Sequence, residues 1–269
     1  KYCVGVNSGL DALILSLEAL DIEKDSEIIV ASNTYIATIT AIIRLGLKPI
    51  LVEPNLNDYN IDPKEILNNI TKKTKAVVIT HLYGRPCQMD EIIEIIKKYD
   101  LKLIEDCSQA HGAKYKNKVI GSFGDFGCFS FYPTKNLGAL GDAGAIVLNN
   151  KKNYEKLLSF RNYGSSIKNK RKYKYIGYNS RLNEIHASFL DLKLNDIKKI
   201  NEKKNLLSKI YDFNLNNKYI IKPEKKFFYT NTYHIYNIRL RSKNVRDKLK
   251  KFLKKNNIIT ALHYPYAPH

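Results

Sequence analysis

Apolar positions along this chain follow two alternating rhythms. Compact apolar runs over 4–6, 27–31, 48–52, 75–80, 101–104, 127–131 and 143–148 are bounded by polar or small residues, a pattern that predicts buried strands. Between them apolar residues return every three or four positions, as at Leu10, Leu13, Leu17 and Leu20, the spacing of one helix face. Helices are predicted over 10–20, 35–45, from 63 onward, over 89–98 and over 150–161. Asp62 before Pro63 reads as a cap and a first helical position, while Gly46 and Gly164 follow helix ends.

Strands alternating with helices argue for an α/β fold around a mostly parallel mixed sheet. The run 143–148 follows its predecessor after a short loop and is expected to return antiparallel. Beyond it the pattern changes. The segment 165–176 is rich in Lys and Tyr and reads as an exposed loop, and a long helix is predicted from about 185 to 207. A strand over 232–241, a helix over 244–256 and a strand over 258–263 then suggest a smaller α+β unit. The expected division is a large domain at residues 1–207, including the connecting helix, and part of a small C-terminal domain at 208–269. Lys1 already opens an apolar segment and His269 closes no helix, so a fragment of a longer chain is expected.

Composition narrows the classes. With 269 residues the chain can bury a substantial core, and no run approaches the roughly 18 apolar residues of a membrane span. Cys3, Cys87, Cys107 and Cys128 lack zinc-ligand spacing and read as reduced structural thiols of a cytoplasmic protein. The net charge of +19 permits nucleic-acid binding, but the lysines are spread among Asn and Ile with no nucleic-acid motif. Compositional bias accounts for the charge better than a nucleic-acid polymer or a membrane does, and a basic field can still attract an anionic substrate.

Chemistry-bearing residues gather at the carboxyl ends of the predicted strands, where ligands of open α/β sheets lie. Asn7-Ser8-Gly9 turns into a helix whose first N–H groups suit a phosphate. Glu105-Asp106-Cys107-Ser108-Gln109-Ala110-His111-Gly112 places an acid directly after a strand, where it needs a cationic or hydrogen-bonding partner. Asp106 by itself fits a structural salt bridge equally well. Ser130-Phe131-Tyr132-Pro133-Thr134-Lys135-Asn136-Leu137-Gly138 carries a lysine in a loop after an apolar run, a Schiff-base candidate if its pocket is partly dry.

Taken with Arg161-Asn162-Tyr163-Gly164 and Gly177-Tyr178-Asn179-Ser180-Arg181, these motifs closely resemble those of the nucleotide-sugar aminotransferases, the DegT family of pyridoxal-phosphate enzymes. The resemblance runs essentially end to end. It implies an aspartate aminotransferase-like large domain plus the smaller C-terminal one. It also implies roles: Lys135 as the catalytic lysine bonded to pyridoxal 5'-phosphate, Asp106 at the pyridinium nitrogen, Gln109 at the phenolic oxygen, and Ser130 on the phosphate. The backbone around Gly9, Leu10 and Asp11 would complete the phosphate site, although many relatives carry threonine where this chain has Leu10. Tyr35 would cover the ring, or else be a core aromatic. Asn179 would reach the phosphate of a neighbouring subunit, which implies a homodimer with shared active sites.

On the substrate side the resemblance implies glutamate as amino donor and a nucleotide-linked keto sugar as acceptor. Glu53-Pro54-Asn55, His81-Leu82-Tyr83-Gly84-Arg85-Pro86 and His263-Tyr264-Pro265 look most like the branch that aminates C3 of dTDP-linked 3-keto-6-deoxyhexoses, with Tyr132, His263 and Tyr264 facing the sugar. The alternative is amination at C4. A related sugar dehydratase has histidine in place of the lysine, and a non-catalytic regulatory protein has no need of the set Lys135, Asp106, Gln109 and Ser130.

Overall fold

The computed structural model describes residues 1–166, 168–169 and 171–268. Its centre is a seven-stranded sheet made of β1 (Tyr2–Val6), β2 (Glu27–Ala31), β3 (Lys48–Val52), β4 (Thr74–Thr80), β5 (Lys102–Asp106), β8 (Phe126–Ser130) and β9 (Gly144–Leu148). The two-residue strands β6 (Lys114–Tyr115) and β7 (Lys118–Val119) form a separate ribbon. Spatial order in the large sheet is β1-β9-β8-β5-β4-β2-β3. Only β9 runs against its neighbours; β8, β5, β4, β2 and β3 pair in parallel, so the mixed, mostly parallel sheet is as predicted. Pro49 is tolerated because β3 is an edge strand.

Both faces of the sheet are covered, and the strand alternation shows it. Ile28, Val30, Ala76, Val78 and Ile104 face one apolar cluster, while Ile29, Ala31, Val77, Ile79 and Leu103 face another. The first cluster is closed by α1 (Gly9–Ala19), α2 (Ile36–Arg44) and α5 (Lys151–Phe160), the second by α3 (Pro63–Asn68) and α4 (Met89–Lys98). In α4, Met89, Ile92 and Ile96 are buried, and Asp90 and Glu91 at its start with Lys97 and Lys98 at its end complement the helix dipole.

The C-terminal third departs from expectation at three places. The single helix expected over 185–207 is two, α6 (Glu184–Leu194) and α7 (Ile197–Asn214). Asn195 ends α6 by folding its Nδ2 back to the Asp191 and Leu192 carbonyls, a local bond that competes with helix continuation. Since α7 runs through Asn214, the expected boundary at 207/208 falls inside a helix. The strand expected over 232–241 is only β12 (Arg239–Leu240), paired with β10 (Ile220–Ile221), while β11 (Tyr229–Thr230) joins β6. Thr232 spends its N–H on Gly84 and its carbonyl on Asn136, which leaves no ladder to make. The strand expected over 258–263 is absent among the described residues. After α8 (Lys243–Lys255), Asn257 turns left-handed and Ile258 N–H bonds back to Leu253. Of the loop expected over 165–176, Ile167 and Lys170 lie outside the described residues, as does His269.

Candidate active site

The site forms where α1 starts and where β4, β5 and β8 end. Ser8 caps α1, its Oγ accepting from Asp11 N–H at 3.1 Å. The N–H groups of Gly9 and Leu10 come in the first turn and have no helical partner. An added Cβ on Gly9 would stand 2.5 Å from Ser130 Cβ, so only glycine lets the helix start press against the end of β8. Ser130 Oγ thereby faces the same turn as two open N–H donors. The expected third donor, Asp11 N–H, is already taken by Ser8, while the Asp11 carboxylate accepts from Ser180 Oγ at 2.7 Å.

Asp106 ends β5 and is buried. Its Oδ1 accepts from Ser108 N–H at 3.0 Å and its Oδ2 from Thr38 Oγ at 2.9 Å. Behind Thr38 stands Thr34, linked to it at 3.1 Å and to Thr80 at 2.8 Å, so three buried hydroxyls, on α2, in the turn before it and on β4, back the carboxylate. Gln109 is buried with its Oε1 held by Tyr83 N–H at 2.7 Å, which turns Nε2 toward Tyr264 OH at 3.2 Å. Tyr83 OH in turn donates to the His263 carbonyl at 2.7 Å, and the Tyr35 and Tyr264 rings are 5.7 Å apart. Chain positions 155 residues apart thus meet at Gln109.

Lys135 is half buried in this surround. Burial lowers its pKa from the ordinary lysine value, against the opposing pull of the Asp106 carboxylate. Three histidines near it also have lowered pKa values: His111 and His234 are pushed down to about 3, and His263 is lowered as well, in each case by burial first and then by the charge of Lys135. Next to Asp106, Glu105 is buried and accepts from His81 Nε2 (3.1 Å) and from the N–H groups of Gly121, Phe123 and Gly124 (2.7–2.8 Å). Burial alone would raise its pKa, but the His81 bond and these donors hold it below the usual carboxylate range. His81 Nδ1 accepts from Cys87 N–H at 3.1 Å, which leaves Nε2 to donate to Glu105.

Residues 1–269 all match the DegT/DnrJ/EryC1/StrS aminotransferase family. The chain belongs to that family. It is 46% identical over 269 residues to the dTDP-3-amino-3,6-dideoxy-alpha-D-galactopyranose transaminase of Aneurinibacillus thermoaerophilus, covering 100% of this chain and 73% of the relative. Among solved structures it is similar to S. venezuelae DesV, captured with a ketimine intermediate, at TM-score 0.95 and 37% identity, covering 100% of this chain and 71% of the other. It is also similar to NtdA of Bacillus subtilis with bound PMP, at TM-score 0.92 and 30% identity, covering 99% and 61%. This aminotransferase is therefore a pyridoxal-phosphate enzyme of fold type I, and nucleotide-sugar transamination is its family's reaction.

The donor set fits that cofactor. The Gly9, Leu10 and Ser130 cradle offers donors to a phosphate, a buried carboxylate backed by threonines stands at Asp106, and a partly dry amine stands at Lys135. Of the other residues foreseen in the aminotransferase, Tyr35, His263 and Tyr264 come together with Gln109. Tyr132 and Asn179 do not join them; both are exposed, and Asn179 forms an isolated bridge with Asn162. Sequence reasoning missed Thr38, Thr34, Thr80 and His111. Thr34, before α2, and Thr38, on it, are spaced i, i+4, but nothing local ties Thr38 to an acid 68 positions away.

Proposed function

We propose that this aminotransferase transfers the amino group of glutamate to C3 of a dTDP-linked 3-keto-6-deoxyhexose. The observation that carries the reading is the similarity along the whole chain to a dTDP-3-amino-3,6-dideoxy-galactose transaminase, in a chain that retains Lys135, Asp106, Gln109 and Ser130 in one site. Pyridoxal phosphate, when bound, supplies an electron sink for the carbanion left when a proton departs from carbon. Asp106, oriented by Thr38 and Ser108, would hold the pyridinium nitrogen. Gln109 Nε2, aimed by the Tyr83 N–H on its Oε1, would donate to the phenolic oxygen. Gly9, Leu10 and Ser130 would hold the phosphate. Lys135 Nζ, made easier to deprotonate by burial, takes the proton at the substrate carbon and returns it.

His263 and Tyr264 stand over this site, beside a cleft of about 370 Å³ lined by Ser32, Asn33, Glu53, Tyr264 and Tyr266, which supports a place for the sugar nucleotide. On this reading the chain after α7 belongs to a smaller domain whose His263 and Tyr264 border the site. Exposed Asn179, flanked by exposed Tyr163 and Ile176, supports a homodimer in which it reaches the partner's phosphate. The four unpaired thiols support a cytoplasmic setting, and among the described residues no helix is long and apolar enough to cross a membrane.

The test is product analysis. Protein loaded with pyridoxal phosphate is given glutamate with the dTDP-linked 3-keto or the 4-keto sugar, and NMR reads which carbon gains nitrogen. Nitrogen at C3 is the expected result. Nitrogen at C4, or a deoxy product without nitrogen, overturns the proposal.

A further inference from the structure

A second set of buried polar contacts lies between the lysine loop and the C-terminal segment, and no chemistry assigned above uses it. Asn136, directly after Lys135, is buried, and its Nδ2 donates to Asn201 Oδ1 at 2.9 Å and to the Thr232 carbonyl at 2.8 Å. Its own Oδ1 has no partner, so the amide orientation is set by those two donated bonds. Asn201, on α7, uses its Nδ2 to donate to the His111 carbonyl at 2.9 Å. Gly112 makes room for that amide: it has φ +82°, and an added Cβ would stand 3.1 Å from Asn201 Nδ2.

From Thr232 the connections continue into the rest of the site. Thr232 N–H donates to the Gly84 carbonyl at 2.9 Å, and Gly84, at φ +91°, leaves no room for a Cβ between itself and Thr232. The preceding residue, Tyr83, holds Gln109 through its N–H and the His263 carbonyl through its hydroxyl. Two side-chain amides therefore join four segments, the Lys135 loop, α7, the 106–112 loop and the segment at Thr232, and the Thr232 N–H carries the connection on to the 81–85 turn.

The geometry points to Asn136 and Asn201 as positioning residues that aim Lys135 at the Asp106 and Gln109 side of the site and keep its amine out of water. Lysine has a long flexible stem, so the direction of its backbone decides where Nζ is found. Asn136 is the adjacent residue, and its side chain is tied at two points outside the loop, to Asn201 on α7 and to the Thr232 carbonyl. An amide suits the position because one nitrogen serves two acceptors, whereas a carboxylate would face the Thr232 carbonyl with no proton to give. The inference rests on the aminotransferase reading for the task of Lys135 and is independent of which sugar is used.

The test uses the whole protein and the variants Asn136→Ala, Asn201→Ala and their combination, with Asn136→Ser and Asn201→Ser should an alanine variant fail to fold. Asn150→Ala, which removes the cap of α5 far from the site, serves as a purely destabilising control. Pyridoxal phosphate is added to cofactor-free protein, trapped with borohydride at timed intervals, and the Lys135 peptide is quantified by mass spectrometry. In parallel, reductive methylation of Lys135 without cofactor is followed against pH, with exposed Lys64 as internal reference. Each single variant is expected to slow capture by about ten- to hundredfold, the cost of a misplaced reacting group. The double variant is expected to lose less than the product of the two singles, because the Asn136–Asn201 bond is common to both. The methylation midpoint is expected to rise toward that of Lys64. Capture and midpoint equal to wild type in folded variants overturn the proposal, whatever happens to their melting temperatures, and so does a multiplicative loss in the double. If wild type itself fails to capture pyridoxal phosphate, the aminotransferase reading falls, and the methylation midpoints still decide whether the two asparagines position Lys135.

Discussion

At His111 the balance is one-sided: the ring is buried between Phe129 and Phe131, with neither nitrogen in a well-formed hydrogen bond. Burial, reinforced by the charge of Lys135 and only partly offset by the Ser130 backbone, takes its pKa from 6.5 to about 3. The sign follows from linkage. The unfolded chain protonates this imidazole below about pH 6.5 and the folded one does not, so its contribution is fully present above that pH and is lost as pH falls toward 3. His111→Phe, which keeps a ring in the aromatic slot, is expected to remove a share of acid sensitivity on the order of a few kcal/mol. Urea midpoints at neutral pH and near pH 4 measure it; an equal drop in both proteins refutes it. His234, half-buried and likewise pushed down to about 3, adds to the same window and keeps the loss from vanishing. Thr38 makes a second case at this scale. Thr38→Val keeps the shape but removes the hydrogen on Asp106 Oδ2, at a cost of about 1–3 kcal/mol. Pyridoxal-phosphate affinity is expected to fall about tenfold or more by equilibrium titration, while Thr38→Ser stays near wild type.

Among elements, β5 carries two jobs on adjacent residues that point to opposite faces. Asp106 faces the site, and Glu105 clasps the loop that leads into β8. That loop must be held because Gly124 and Gly127 pack directly on backbone, where any side chain would collide. Glu105→Gln places an amide nitrogen among N–H donors and is expected to destabilise the fold by about 2–4 kcal/mol, read as a lower denaturant midpoint. A shift below about 0.5 kcal/mol would show that the clasp is dispensable. Because Glu105 is held below its ordinary pKa, its stabilisation is present at neutral pH and lost as acid reaches its folded-state value. The same loop feeds Ser130, so weakening the clasp should also loosen the phosphate cradle.

For the whole molecule, the apolar side chains Leu140, Tyr163, Ile176 and Ile185 are exposed, and the proposed homodimer would cover them together with Asn179. Sedimentation at micromolar concentration is expected to show a dimer. If each site takes Lys135 from one subunit and Asn179 from the other, then Lys135→Ala and Asn179→Ala proteins, each impaired alone, should regain activity when refolded together. The mixed dimer has one site carrying both changes and one carrying neither, so recovery approaching a quarter of the wild-type sites is the expected statistical yield. Absence of any recovery in a confirmed mixed dimer counts against site sharing.

The order of elements through α5 was legible because burial on a sheet imposes a period of two and burial on a helix a period near four, and both are local. The motifs at strand ends were legible because a buried acid, a serine and a lysine are unusual neighbours of apolar runs. Local pattern failed where long-range bonds set the backbone. Thr232 reads as strand but is claimed by Gly84 and Asn136, and residues 258–263 read as strand but end against Tyr83 and Gln109. The family resemblance had already named Gln109, Tyr35 and Tyr264 as members of the site. Their mutual geometry, the threonine backing of Asp106, the neutral His111 and the two asparagines beside Lys135 were decided only by tertiary structure. A hydrogen bond between residues a hundred positions apart leaves no period in the sequence; it exists only once the sheet has placed its strand ends side by side.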